Sequence, residues 1–339
     1  MKRRISVRDV AAEAGVSIGT VSRVLNSSGY ASEDVRLRVQ RAAARLGYQP
    51  DFTARHLRGG RSRTIGYLLP NIANPFLAMH LSEVERLAQA AGYSLLVGSS
   101  ERPERDKELV AFFESRRLEG IIASPSNEYA DPASSPFATT PLPSVIVDRD
   151  LSGGLDSVLI DHYAGIRQVM EYLMSLGHER VALFASGRGM RPGREKQRGY
   201  RAALESAGLA YDERLVHVGN SWIESSRVPM QRMLKLDAPP TAIIAVGTQL
   251  LSGAVHVIRE AGLDIPGDVS VVGIGTLETL ELMYPPVTAL RYNFHLSAAA
   301  AVKLMLERVE QRAPQECRTV LIPWDLILGR SCARARQAR

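Results

Sequence analysis

Near the N-terminus, apolar side chains recur every three or four residues in three short stretches, which predicts three amphipathic helices. Ser6 is placed to cap the first helix, and Gly15 offers the left-handed turn that ends it. Ser17 is placed to cap the second helix, and a third is expected from the cap Ser32 as far as Gly47. Two helices joined by a glycine turn predict a helix-turn-helix, although a plain amphipathic hairpin would show the same apolar spacing.

Beyond residue 63, apolar runs of strand length alternate with helical segments, and this alternation is typical of an α/β fold with a parallel sheet. Helices are expected near 75–91, 104–117, 163–176, 196–207, 225–235, 250–261 and 296–311. Strands are expected at 64–69, 94–98, 120–124, 144–148, 157–160, 180–185, 215–218, 242–246, 269–274 and 289–292. Because such sheets bind ligands beyond the carboxyl ends of their strands, we expect functional side chains there.

The residues from Asp9 to Asn26 read D-V-A-A-E-A-G-V-S-I-G-T-V-S-R-V-L-N. This string resembles the DNA-binding headpiece of the LacI/GalR repressor family, D-V-A-x-x-A-G-V-S-x-x-T-V-S-R-V-L-N, and it matches every fixed position. The resemblance implies that Ile18 and Gly19 read bases of double-stranded DNA while Arg23 adds a polar contact. The predicted DNA-binding residues are Ser6, Ser17, Ile18, Gly19, Thr20, Ser22, Arg23, Asn26, Arg36, Ala54 and Leu57.

A second resemblance covers residues 47–58, which are similar to the family's hinge, G-Y-x-P-N-x-x-A-R-x-L. The resemblance implies a short helix that forms on the operator, with Leu57 opening a base step from the minor groove. Asp51 stands where the family has asparagine, and a carboxylate near phosphates is repelled, although it can also cap a helix. A simple linker with a buried leucine is the alternative.

Charge supports a nucleic-acid-binding head independently of these motifs. Residues 1–63 hold thirteen basic and five acidic side chains, a local net charge of +8, whereas the whole chain carries +6. The remaining segment is therefore slightly acidic, with 29 basic and 31 acidic side chains. Positive charge concentrated at one end is typical of a phosphate-binding arm on an ordinary globular body.

The family resemblance runs from Ile5 to Ser331 and implies a fold in two parts. One is an all-α helix-turn-helix headpiece, and the other is a two-lobed α/β core of the periplasmic-binding-protein type I class with parallel sheets. We expect the headpiece at 1–47, the hinge and linker at 48–63 and a basic tail at 332–339. The core, 64–331, is expected to form one lobe from 64–160 plus 290–322, and the other from 161–289 plus 323–331.

The resemblance also implies a small-molecule effector between the lobes. Asn74 and Phe76 belong to an N-P-F motif, Asp148 matches the family's D-R pair, and Lys196 stands where the family has an anchoring arginine. Other candidates follow strand ends, where ligands of such sheets bind. The predicted effector-binding residues are Asn74, Phe76, Asp148, Asp161, Lys196, Ser221, Trp222, Gly247, Gly275 and Tyr292.

Two departures from the family pattern favour an anionic effector, such as a sugar acid or sugar phosphate. Gly247 and Gly275 replace the usual asparagine and aspartate, so two ligand contacts are missing. The segment 187–198, expected to be a loop, is rich in arginine, and a buried anion needs fixed cations or backbone donors. A solvated loop with a neutral ligand held by backbone contacts remains the alternative.

No catalytic machinery, metal-ligand spacing or complete dinucleotide motif is visible, so we expect no enzyme activity, cofactor or metal. The N-terminus lacks a signal peptide and no run is long enough to span a membrane, so a cytoplasmic protein without membrane contact is expected. One headpiece reads a half-site, which predicts a homodimer on a palindromic operator. A tail without leucine heptads disfavours a tetramer. The competing interpretation is a solute-binding protein or sugar-processing enzyme with an incidental basic head.

Overall fold

The computed structural model describes residues 5–25, 29–48, 61–274, 280 and 282–336. The chain divides into two compact units, residues 1–62 and residues 63–339. Four predicted site residues lie outside the described residues, namely Asn26, Ala54, Leu57 and Gly275. The predicted hinge helix lies outside them as well, so its formation stays a prediction.

The described residues of the first unit form three helices, α1 (Val7–Ala14), α2 (Ile18–Leu25) and α3 (Glu33–Leu46). Ser6 forms the expected capping box at the start of α1, and Gly15 ends it in the left-handed conformation with a φ of 64°. Val10, Val21 and Val39 are fully buried, one from each helix, so the three apolar stripes meet in a single small core. The helix-turn-helix predicted from the apolar spacing is therefore present.

The second unit contains two six-stranded sheets. The first consists of β1 (Thr64–Leu69), β2 (Ser94–Ser99), β3 (Gly120–Ala123), β4 (Ser144–Val147), β5 (Asp156–Ile160) and β11 (Thr319–Ile322). Its spatial order is β11-β5-β4-β3-β1-β2, and every neighbouring pair is parallel. We call this sheet with its covering helices the first lobe.

The second sheet, the basis of the second lobe, has one antiparallel edge. Its strands are β6 (Val181–Ser186), β7 (Val216–Gly219), β8 (Ala242–Val246), β9 (Ser270–Ile274), β10 (Thr288–Tyr292) and β12 (Trp324–Ile327). The order is β12-β10-β9-β8-β6-β7, in which only the pairing of β10 with β12 is antiparallel among these strands. The central strands are buried along their whole length, as expected for a sheet covered by helices on both faces.

Helices cover both sheets. They are α4 (Pro75–Ala90), α5 (Pro103–Ser115), α6 (Pro136–Thr139), α7 (His162–Ser175), α8 (Arg191–Ser206), α9 (Glu224–Met233), α10 (Thr248–Glu260) and α11 (Phe294–Val309). In the first lobe α4 packs on α11, and in the second lobe α7 packs on α8. The alternation of strands and helices predicted from the sequence therefore gives the expected parallel α/β core.

Within the described residues, the chain passes between the lobes three times, and each passage is one residue long. Asp161 separates β5 from α7, Asn293 separates β10 from α11, and Pro323 separates β11 from β12. The first and third passages are tied together, because the Asp161 amide donates to the Ile322 carbonyl over 2.9 Å. These three passages form one side of the space between the lobes.

Several boundaries differ from the expectation. The strands β11 and β12 were not expected, and α8 begins at Arg191, inside the segment that the glycines and proline had suggested was a loop. The strand β10 belongs wholly to the second sheet, so the chain returns to the first lobe after Tyr292 and not at residue 290. The last of these differences places residues 290–292 in the second lobe instead of the first.

The expected tail is also shorter than predicted. Ser331 is fully buried, and the Ala333 amide donates to Ser270 Oγ over 3.0 Å. The Ala335 amide donates to the Leu176 carbonyl over 2.9 Å. Residues 332–335 therefore pack on the second lobe instead of forming a free basic extension.

Candidate functional site

The headpiece presents α2 with its N-terminal half accessible. Ser17 caps this helix as expected, because its Oγ accepts a hydrogen bond from the Thr20 amide over 3.1 Å. Ile18 is 40% exposed, and Gly19 and Arg23 are exposed, whereas Val21 is buried against the other helices. The helix thus offers a solvent-facing surface of the size and position that a recognition helix needs.

Among the residues that the structure describes, the hydrogen bonds that hold Arg23 at this surface are weak. Its Nε donates to the Gly19 carbonyl over 3.5 Å and its Nη2 to Thr20 Oγ1 over 3.4 Å. Both distances exceed the range of strong hydrogen bonds, so a nucleic acid can replace them at small cost. The other predicted contacts that the structure describes, Ser6 and Arg36, are exposed, and Ser22 is half-buried.

A cavity of about 470 Å³ lies between the two lobes. Eight of the predicted effector-binding residues line it, on loops and helix starts that follow strands of both sheets: Asn74, Phe76, Asp148, Lys196, Ser221, Trp222, Gly247 and Tyr292. Asp161 does not line the cavity, since its carboxylate caps α7 by accepting from the Ala164 amide over 3.0 Å. Asp161 forms a passage between the lobes, and its part in effector binding stays a prediction.

One wall of the cavity is aromatic. The ring of Phe76 lies 5.1 Å from that of Tyr292 and 6.2 Å from that of Trp324, while Tyr292 and Trp324 are 5.3 Å apart. Phe76 is positioned by the start of α4, where Asn74 Oδ1 accepts from the Phe76 amide over 3.0 Å. Such a wall suits the apolar face of a ring, as in a sugar or a base.

Asp148 is the centre of a buried charge cluster at the end of β4. Its Oδ2 accepts from His162 Nε2 over 2.9 Å, and its Oδ1 accepts from Arg191 Nη1 over 3.1 Å. Burial alone would raise the pKa of Asp148, but His162, Arg149 and Lys196 together bring that pKa below its usual value. The backbone here is left-handed, with a φ of 54°, a conformation that aspartate tolerates better than most residues. The carboxylate is thus ionised and already well satisfied by protein donors.

Lys196 faces the same cavity from α8. Close packing of α8 on α7 fixes its position: a Cβ on Gly199 would lie 2.5 Å from the Tyr163 carbonyl oxygen, and Tyr200 donates to the Val181 carbonyl over 2.7 Å. Only 4% of Lys196 is exposed, and burial lowers its pKa to about 8. Among the residues that the structure describes, none forms a hydrogen bond or ion pair with this ammonium group. Lys196 therefore places a buried positive group on the wall of the cavity.

The arginines near Lys196 do not form the free cationic loop that the sequence suggested. Arg194 Nη1 lies 2.6 Å from Glu128 Oε2, and its Nη2 lies 2.7 Å from Asp150 Oδ2. Arg191 Nε lies 3.3 Å from Asp150 Oδ1, and the Arg191 amide donates to Glu128 Oε1 over 2.7 Å. Because Glu128 and Asp150 belong to the first lobe, these four residues form an interlobe network that neutralises both arginines. Arg188 lines the cavity, with its Nε donating to the Val218 carbonyl over 2.9 Å.

Sequence reasoning missed several cavity residues. His162 and Trp324 line it directly after passages between the lobes, and their rings are 5.8 Å apart. His80 lines it from α4, where it contacts Tyr67 Oη over 2.7 Å and Ser297 Oγ over 3.0 Å. These side chains come together at the cavity through contacts with residues that are far away in the sequence. The one usable signal was the adjacency of His162 to the end of a predicted strand.

Comparison with known protein families matches two segments of the chain. Residues 6–51 match the model described as bacterial regulatory proteins, lacI family, and residues 170–332 match the periplasmic binding protein-like domain. The HTH-type transcriptional regulator DegA of Bacillus subtilis (strain 168) is 30% identical over 289 residues, which cover 84% of this chain and 86% of the relative. The chain belongs to the LacI family.

Solved structures agree with this LacI-family assignment across both units. The lac repressor dimer bound to operator and the anti-inducer ONPF has a TM-score of 0.88 and 26% identity, covering 98% of this chain and 100% of that one. The transcriptional regulator CelR in its cellobiose complex has a TM-score of 0.73 and 28% identity, covering 97% and 100%. The predicted family and fold class are therefore confirmed.

This LacI-family chain is a DNA-binding transcriptional regulator, as the headpiece motif predicted. Its named relatives are regulators and not enzymes, in line with the expected lack of catalytic activity. No helix in the described part of the chain is long and apolar enough to cross a membrane. The two candidate functional surfaces of the chain are the exposed face of α2 and the cavity between the lobes.

Proposed function

We propose that this protein is a cytoplasmic repressor of a catabolic operon that binds a palindromic operator as a homodimer and responds to a small-molecule effector. The observation that carries the DNA part is the exposed face of α2, with Ile18, Gly19 and Arg23 accessible on one capped helix. Because one such helix covers only a half-site, a two-fold dimer is the natural reader of an inverted repeat.

Selection of bound sequences from random DNA, followed by sequencing, tests this part directly. We expect an inverted repeat whose half-sites are bound cooperatively by two chains. Because Ile18 and Gly19 offer no side-chain hydrogen bond, the half-site should contain a position where a thymine methyl is preferred. Recovery of a single asymmetric site bound by one chain would contradict the proposal.

For the effector, we propose an anion such as a sugar acid or a sugar phosphate, bound between the lobes. Support comes from Lys196, a buried ammonium group without a hydrogen-bond or ion-pair partner among the described residues, and from Arg188 on the same cavity. Asp148 does not oppose an anion strongly, since Arg191 and His162 already occupy both of its oxygens. An anion would offset the desolvation of Lys196.

A neutral sugar is the second candidate, and the aromatic wall of Phe76, Tyr292 and Trp324 is the observation that favours it. The solved structure of the relative CelR is a complex with cellobiose, a neutral sugar. Calorimetry with matched pairs, a sugar and its acid or phosphate, distinguishes the two. We expect the anion to bind more tightly to the parent and to lose that advantage in Lys196→Met. Lys303→Met, on the exposed face of α11, is the matched control.

A further inference from the structure

Lys196 differs from the other lysines of the chain. The sequence holds five, and of the four that the structure describes, Lys107, Lys235 and Lys303 are exposed while Lys196 is buried. Its amino group lines the cavity and has no hydrogen-bond or ion-pair partner among the described residues. Burial without a partner shifts the protonation equilibrium of an ammonium group towards the neutral amine, because the protein interior solvates charge poorly.

The surroundings of Lys196 favour the neutral amine further. Burial lowers its pKa to about 8, and the positive charges of Arg149 and Arg191 act in the same direction against the attraction of Asp148. A desolvated lysine beside other cations is the arrangement by which proteins make an amine nucleophilic near neutral pH. At that pH, a substantial fraction of Lys196 carries a free electron pair that faces the cavity.

His162 completes a cluster of reactive groups on this cavity. A carboxylate only accepts hydrogen bonds, so His162 Nε2 carries the hydrogen that is donated to Asp148, and Nδ1 is an unprotonated acceptor. This Nδ1 is buried and finds no hydrogen-bond partner in the described part of the chain. His162 lines the same cavity, so its Nδ1 is the candidate acceptor for a hydroxyl group of a molecule bound there.

We propose that Lys196 captures the aldehyde carbon of an open-chain sugar derivative as a reversible imine, with His162 Nδ1 accepting from the hydroxyl of the intermediate. The amine nitrogen adds to the carbonyl carbon and gives a carbinolamine. Loss of water then forms the C=N bond: the carbonyl supplies the oxygen and the amine supplies both hydrogens. No oxidant or reductant takes part, and hydrolysis reverses the step.

This inference deepens the proposed function and rests on it only in placing the effector in the cavity between the lobes. It narrows the effector class to molecules with an aldehyde, such as aldose phosphates and uronic acids in their open-chain form. In these molecules the anion is separate from the carbonyl carbon. Arg188 lines the same cavity, so its guanidinium group can contact the anion while Lys196 binds the carbonyl carbon.

The test uses the full-length protein with glyoxylate as the probe, at pH 7.5 with sodium cyanoborohydride to trap imines, and peptide mass spectrometry to locate them. We expect Lys196 to be labelled roughly ten-fold faster than Lys107, Lys235 or Lys303, because a far larger fraction of its amine is neutral. Equal labelling of all lysines, or no labelling of Lys196, overturns the proposal. The control variant Lys196→Arg keeps the positive charge at this position but removes the amine. Its circular dichroism spectrum checks that the fold is unchanged.

Two further arms separate this inference from the proposed anion. Glycolaldehyde has the aldehyde of glyoxylate without its charge, so selective labelling of Lys196 by both probes supports imine formation and contradicts only the anion preference. His162→Phe should slow labelling of Lys196 several-fold while leaving Lys303 unchanged. If His162→Phe leaves the Lys196 rate as in the parent, the role given to His162 is wrong.

Discussion

Arg191 connects the two lobes through Asp148, with 3.1 Å between Arg191 Nη1 and Asp148 Oδ1. The same Nη1 also donates to the Ile160 carbonyl over 2.8 Å, so the start of α8 is bound to the ends of β4 and β5. Asp148 therefore has two roles, as a cavity residue and as a contact between lobes. A ligand that draws Asp148 away from Arg191 must also loosen the interlobe network.

The interlobe network gives the first prediction. We expect Glu128→Gln and Arg194→Gln to be coupled in a double-mutant cycle by about 1–3 kcal/mol of unfolding free energy, because Glu128 is largely buried and also accepts from the Arg191 amide. Urea denaturation at fixed salt measures this coupling. The control is Arg167 with Glu171, an exposed pair on α7 at 2.7 Å, for which about 0.3–0.5 kcal/mol is expected. Equal coupling in both cycles would contradict a special role for the network.

The second prediction concerns pH. Burial lowers the pKa of His80 and of His162 from 6.5 to about 4, so both are neutral in the folded protein near neutral pH. As the pH falls, the two histidines bind protons in the unfolded chain before they do so in the folded protein. The free energy of unfolding therefore decreases as the pH drops from 6.5 towards 4. The slope should reach about 1.4 kcal/mol per pH unit for each histidine. Urea denaturation across this range measures it, and a flat profile would show that the imidazoles are not buried as described.

The third prediction concerns base readout by the headpiece. Arg23→Ala should weaken operator binding by about 1–3 kcal/mol if the guanidinium forms a bidentate contact to a guanine. Arg45→Ala is the control, because Arg45 lies on α3 and not on α2, and it pairs with Glu13 at 3.0 Å. Fluorescence anisotropy at fixed salt measures both variants. Unchanged affinity for Arg23→Ala would remove Arg23 from the predicted contacts.

The fourth prediction distinguishes two truncations of the C-terminus. Ending the chain after Arg330 removes Ser331, whose Oγ accepts from the Thr288 amide over 2.9 Å, and Ala333, which bonds to Ser270. Several buried groups lose partners, so the free energy of unfolding should fall by about 1–3 kcal/mol for each. Ending it after Arg336 should change neither stability nor the mass seen by light scattering, which we expect to be that of a dimer. A tetramer in the parent that the second truncation abolishes would contradict the expected role of the tail.

Local signals in the sequence were sufficient for much of the fold. The apolar spacing, Gly15 and the cap Ser17 determine the helix-turn-helix because each acts within a few residues. The strand at 242–246 is a buried apolar run with polar flanks, and the observed bounds are the same. The strands β11 and β12 were missed because each has four residues and Pro323 separates them.

The cavity was harder to predict, because its chemistry depends on distant pairs. Arg194 meets Glu128 across 66 positions of sequence, so a segment rich in arginine was mistaken for free positive charge. Pro192 and Gly193 suggested a loop, yet proline fits the first turn of a helix, and α8 begins there. The family pattern identified Asp148 and Lys196, whereas His162 was not among the predicted effector-binding residues although it lines the cavity.

The three single-residue passages at Asp161, Asn293 and Pro323 leave almost no slack between the lobes. Any rotation of one lobe against the other must therefore have its axis close to these three residues. Trp324 and His162 follow two of the passages and therefore sit near the pivot, where displacements are small. Glu128 and Arg194 pair across the two lobes. They are not at these passages, so they lie farther from the axis of such a rotation. A rotation that opens or closes the cavity would therefore change the contact between Glu128 and Arg194 more than the position of Trp324.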